Sequence, residues 1–76
     1  MTEILDKILM DINPEIVENR KINLIEEGVI TSLDLISIVS EIEEELKVEI
    51  DFEDIVTDNF TSYDAIKKLF LKYLST

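Results

Sequence analysis

Hydrophobic positions recur at helical spacing through the first dozen residues, where Ile4, Leu5, Ile8, Leu9 and Ile12 share one face and Glu3, Asp6, Lys7 and Asp11 the other. This pattern predicts a first helix, and Asn13-Pro14 ends it, because the residue before a proline is pushed away from helical backbone angles. From Pro14 to Ile30 the periodicity loosens. Ile16, Val17, Ile22, Leu24, Ile25, Val29 and Ile30 nevertheless supply enough apolar groups to tether a long connection to a core, with room for a short helical turn near Pro14 to Arg20. An ordered connection of this length usually serves binding or a crossing between helices that are not simple antiparallel neighbours.

A second helix is predicted to open at Thr31-Ser32-Leu33-Asp34, which fits the capping-box pattern of a hydroxyl followed three residues later by an acid. Its core stripe is Leu35, Ile38, Val39, Ile42 and Leu46. A different face collects Leu33, Ile36, Ser40, Glu43, Glu44 and Lys47, with two apolar residues near the helix start and carboxylates further along. Asp51 is placed to cap a short third helix through Phe52, Glu53, Asp54, Ile55 and Val56, too brief to hold without tertiary packing and expected to depend on burial of Phe52 and Ile55. Thr61-Ser62-Tyr63-Asp64 supplies another capping box. It leads into a final helix with the apolar stripe Ile66, Leu69, Phe70, Tyr73 and Leu74, and with Lys67, Lys68 and Lys72 outside it. The expected fold is all-α: a small four-helix bundle with three longer helices, one short helix and a long loop between the first two.

Composition narrows the chemistry. At 76 residues the chain has room for one compact domain, residues 1–76, and none for a deep catalytic pocket. Without cysteine there is no disulfide framework and no thiolate metal site; without histidine the commonest general base and metal ligand is missing. The net charge of -11 disfavours nucleic acid and anionic membrane as partners and allows electrostatic steering toward basic patches on proteins. No apolar run reaches the roughly 20 residues that span a bilayer, and the acidic start is unlike a signal peptide, so a cytoplasmic, non-inserted protein is expected. Paired carboxylates such as Glu26-Glu27 or Glu43-Glu44 would need a cleft and shifted proton affinity to act as acid and base. Adjacent acids on a helix are ordinarily solvated. Asp51, Glu53 and Asp54 lack the ligand spacing and turn glycine of a calcium loop, so no metal site is expected there.

The run Glu27-Gly28-Val29-Ile30-Thr31-Ser32-Leu33-Asp34, followed by Ile38-Val39 and Ile42-Glu43-Glu44-Glu45-Leu46, resembles the acyl carrier proteins. The order of long helix, long loop, second helix, short helix and final helix extends that resemblance over essentially the whole chain. What it implies is a carrier without enzymatic activity of its own. A 4'-phosphopantetheine arm would sit on the matching serine, Ser32, and hold acyl or aminoacyl groups as thioesters. The implied partners are a phosphopantetheinyl transferase and the enzymes that load and process the cargo. They would dock on Leu33, Ile36, Ser40, Glu43 and Glu44 of a monomeric carrier. Thr31 stands where the family usually has aspartate, which keeps the cap and removes a charge beside the serine. Gly28, four positions before Ser32, is similar to D-alanyl and other specialised carriers and points to a dedicated pathway. An acidic helical interaction module with no prosthetic group would carry the same amphipathic stripes.

Overall fold

The structure is a computed structural model and describes residues 2–75. Its order is α1 (Glu3–Ile12), α2 (Glu15–Glu18), α3 (Ser32–Leu46), a 3-10 turn (Phe52–Asp54), a second 3-10 turn (Thr57–Phe60) and α4 (Tyr63–Leu74). The fold is all-α, as the hydrophobic periodicity implies. The helical turn allowed after Pro14 is α2, whose Ile16 is fully buried.

One core joins all the long helices. Leu5, Ile8 and Leu9 of α1, Ile38, Val39 and Ile42 of α3, and Tyr63, Ile66, Leu69 and Phe70 of α4 meet there, with Ile16, Leu24, Ile30, Ile50 and Phe60 from the connections. The buried set at the entry to α4, Phe60 and Tyr63, carries more of the core than the stripe beginning at Ile66 suggests. Tyr63 is a buried ring with a polar end. Its hydroxyl donates to the Asp6 carboxylate of α1, and the Arg20 guanidinium lies over its face at 4.1 Å, while Arg20 Nε donates to the Val17 carbonyl. Burial, and then the hydrogen bond to Asp6, pushes the Tyr63 phenol above its ordinary value of 10.0, which keeps it a donor.

Three expectations need correction. Ile4, placed on the core stripe, is 44% exposed. It sits at the edge of the α1 arc and lines a groove of about 160 Å³ with Lys7, Ile8, Asp11, Glu41 and Glu45. The third helix is a 3-10 turn, and its Phe52 is 85% exposed instead of buried. Asp51 does cap it, accepting from the Glu53 N–H at 2.9 Å, but polar ties to α4 hold the turn in place of an apolar anchor. Finally, the residue that caps α4 is Ser62, which accepts from the Ala65 N–H at 3.1 Å. Thr61 turns its hydroxyl back to the Asp58 carbonyl, so the box expected between Thr61 and Asp64 does not form.

α3 stops at Lys47, whose φ of 54° is in the left-handed region, and the Lys47 and Val48 N–H groups close back onto the Glu43 carbonyl. A lysine there bears the Cβ clash that glycine avoids. Lys47 is exposed. Lys47→Gly is therefore expected to raise stability by about 0.5–1 kcal/mol, after allowance for glycine's larger unfolded-state freedom. Urea denaturation of the two proteins measures it, and a lower midpoint for the variant at unchanged slope would contradict the strain at this cap.

Candidate functional site

The long connection ends at α3, and the way it is fixed decides where α3 begins. Leu24 is fully buried, its N–H donates to the Thr61 carbonyl at 2.6 Å, and its own carbonyl accepts from both Val29 (2.9 Å) and Ile30 (3.2 Å). Asn23 Oδ1 takes up the N–H groups of Ile25 and Glu26 at 3.1 and 3.0 Å. Gly28, at a φ of 71°, makes the reversal that brings Val29 back over Leu24. From the other side the Asn13 side-chain amide donates to the Val29 carbonyl at 3.1 Å. With Ile30 buried, Thr31 is delivered to the surface in an extended conformation, φ -107° and ψ 178°.

That conformation is what a helix cap requires. The Thr31 hydroxyl faces the Asp34 N–H at 3.4 Å, a long contact, and the Asp34 carboxylate answers by accepting from the Thr31 N–H at 3.0 Å and its hydroxyl at 3.3 Å. The capping box read from the sequence is present in full. Because Thr31 takes the cap, Ser32 becomes the first residue of the helix and is exposed. Among the described residues nothing engages its hydroxyl, and no acceptor meets the N–H groups of Ser32 and Leu33. These are unpaired donors of the first turn, at the positive end of a 15-residue helix. The site thus offers a free hydroxyl beside donors that favour an anion.

The candidate docking residues lie along the same helix. Leu33 is 76% exposed and Ile36 61%, and Ser40 and Glu44 are exposed further along. Glu43 differs. It is half-buried, and its Oε2 accepts from the Ile50 N–H at 2.9 Å, so it fixes the chain that leaves α3 as well as adding charge. Nothing in the spacing of a Glu-Glu run distinguishes the member that turns inward. No basic residue interrupts α3, whereas Lys67, Lys68 and Lys72 cluster on α4.

A family model described as phosphopantetheine attachment site matches residues 2–68. The chain belongs to this family of acyl carrier proteins. The match runs from before α1 into α4, and so takes in the whole of the capped start of α3. Neither a curated protein nor a solved structure matches the chain. As a member it is a carrier of covalently attached 4'-phosphopantetheine and not an enzyme, and carriers of this family work with transferases and biosynthetic enzymes. The start of α3 fits that group: an exposed, unengaged hydroxyl gives an ester link, and the unpaired N–H groups suit the phosphate next to it. The α1–α3 groove, at about 160 Å³, is well short of the roughly 300–1,000 Å³ of a small-molecule site. None of the described helices is long and apolar enough to cross a membrane.

The division of labour between Thr31 and Ser32 in the carrier is open to direct measurement. Thr31→Ala should cost about 1 kcal/mol, the usual loss for a hydroxyl cap, while Ser32→Ala should stay within about 0.5 kcal/mol of wild type. Thermal or urea unfolding of both variants tests this, and a larger loss for Ser32→Ala would mean that Ser32 has a structural role of its own.

Proposed function

We propose that Ser32 is the residue that carries phosphopantetheine, and that the chain holds acyl or aminoacyl groups on that arm for the enzymes of one dedicated biosynthetic pathway. The observation that carries this reading is the exposed Ser32 hydroxyl, released from capping by Thr31 at the first position of α3. Ser37 and Ser40 are poorer candidates because both lie within α3, away from its unpaired donors.

The chain's own residues do three things. With coenzyme A as donor, Ser32 Oγ would give up its proton and bond to the phosphorus on the pantetheine side of the pyrophosphate, whose P–O–P linkage breaks and releases adenosine 3',5'-bisphosphate, leaving serine and arm joined by a phosphodiester. The unpaired N–H groups of Ser32 and Leu33 and the helix dipole stabilise the resulting anion by roughly 0.3–1 kcal/mol at an exposed position. Leu33 and Ile36 offer apolar contact to an approaching enzyme, and the acids Glu41, Glu44 and Glu45 give it an electrostatic bearing. When bound, the arm supplies a terminal thiol, and with it the acyl-transfer chemistry that a chain lacking cysteine and histidine does not have. Thr31 is a departure from the family pattern: its neutral cap leaves Asp34 as the acid of the first turn, so a transferase acting on this chain must accept a serine without aspartate before it. The position of Gly28 supports a specialised pathway over general fatty-acid synthesis.

Intact mass after incubation with coenzyme A and a broad-specificity transferase tests the attachment. Wild type should gain a single phosphopantetheine and Ser32→Ala none, with both proteins folded by circular dichroism. Modification of the alanine variant would move the attachment to another residue, and a wild-type chain left bare by every transferase, including that of its native host, would favour the unmodified interaction module.

The docking face is tested separately through Glu44, because Glu43 also holds the Ile50 N–H. Glu44→Lys should slow loading several-fold at low ionic strength, through the association rate, and the difference should shrink as salt screens it. Equal rates for the two proteins at low salt would remove Glu44 from the docking face.

A further inference from the structure

Two adjacent residues compete to cap α3. Thr31 and Ser32 both carry a hydroxyl, and serine is the better cap of the two. The Thr31 hydroxyl meets the Asp34 N–H at 3.4 Å, too long to fix the choice by itself. Asp34 favours Thr31 through its bonds to the Thr31 N–H and hydroxyl, but both are exposed. If the cap moved one residue on, the Ser32 hydroxyl would turn onto the Leu35 N–H and be lost to other chemistry. A part-buried restraint lies just upstream. The peptide joining Val29 to Ile30 is held at both ends: the Val29 carbonyl accepts from Asn13 Nδ2 at 3.1 Å, and the Ile30 N–H donates to the Leu24 carbonyl at 3.2 Å. That second bond is at the long end of its range, and the Leu24 carbonyl is shared with the Val29 N–H.

Asn13 is itself anchored in α1 and α2. Its N–H donates to the Leu9 carbonyl at 2.8 Å, its own carbonyl accepts from the Ile16 N–H at 3.0 Å, and its Oδ1 accepts from the Glu15 N–H at 3.0 Å. Both ends of the side-chain amide are therefore used, and a carboxylate of the same shape could satisfy only one of the two partners. Pro14, next in the chain, has no N–H to attack that amide, so the succinimide route to deamidation is closed. We propose that Asn13 is a positioning residue for attachment of the arm. By holding the Val29 carbonyl it fixes the direction in which Ile30 and Thr31 leave the loop, which keeps the cap on Thr31 and the Ser32 hydroxyl free. This inference rests on Ser32 as the attachment residue, and Asn13 acts on it through Val29 and Thr31.

Steady-state loading from coenzyme A by a broad-specificity transferase tests it, at a temperature where circular dichroism shows each protein folded. Asn13→Asp keeps the acceptor for the Glu15 N–H and puts a second acceptor against the Val29 carbonyl. Asn13→Ser keeps a hydroxyl for Glu15, is too short for Val29 and adds no charge. Asn19→Asp makes the same charge change at the exposed end of α2 and is the control. Because the docking face is untouched, both Asn13 variants should keep the wild-type KM for the carrier and lose kcat by about two- to tenfold, the population change that one hydrogen bond commands. Amide NMR signals from Val29 to Leu35 should shift in these variants while those of Ile66, Leu69 and Phe70 stay in place. In wild type the Asn13 side-chain amide protons should exchange more slowly than those of Asn19; equal rates would overturn the proposal even if neither variant folds. So would a wild-type kcat in the Asn13 variants, a loss carried by KM, or an equal loss in Asn19→Asp, each with the assignment of Ser32 intact. A wild-type chain that gains no arm on Ser32 would overturn both.

Discussion

The reciprocal bond between Thr31 and Asp34 is the contact on which the functional end of the molecule depends. A helix start leaves donors without partners, and some residue must serve them. Here Thr31 does so with its hydroxyl, and Asp34 returns the favour to the Thr31 N–H and hydroxyl. Had the chain entered α3 one residue later, Ser32 would have been the cap and its hydroxyl would have been turned toward the backbone. The entry point is set upstream, by the buried Leu24 and Ile30, the Asn13 amide and the left-handed Gly28. The long connection is therefore a positioning element, and its cost in ordered backbone is offset by apolar anchors spaced along it.

Much of this was legible because the strongest signals are periodic or local. The α3 stripe of Leu35, Ile38, Val39, Ile42 and Leu46 and the Thr31 box both survive in the structure, since each needs only a few residues to agree with one another. The misreadings share a different cause. Ile4 and Phe52 are apolar, but whether an apolar side chain is buried depends on what other segments cover it, and no spacing within one helix reports that. The cap of α4 slipped from Thr61 to Ser62 because a cap is defined by where the backbone turns extended, and Thr61 is still in helical geometry at φ -74° and ψ -22°. Glu43 looked like surface charge until the chain after Lys47 folded back and gave its carboxylate an N–H to receive.

Charge and packing are distributed to different ends of the problem. The interior is apolar, with no polar or charged residue buried among those described, so the acids lie outside it and repel one another across a small surface. Two of the seven basic residues help fasten the fold: Arg20 lies over Tyr63, and Lys72 pairs with Asp54. α3 is left acidic along its length and apolar at its exposed start. A partner bearing a basic rim around an apolar pocket would be drawn by the first feature and seated by the second.

The central claim is that the cap at Thr31 frees Ser32, and Ser32 alone, to carry the prosthetic group. Fragmentation mass spectrometry of the modified protein tests it most directly, by locating the added mass along the α3 segment. The account predicts the whole of the added mass on Ser32, with Thr31, Ser37 and Ser40 unmodified; mass found on any of those three, or outside α3, would contradict it.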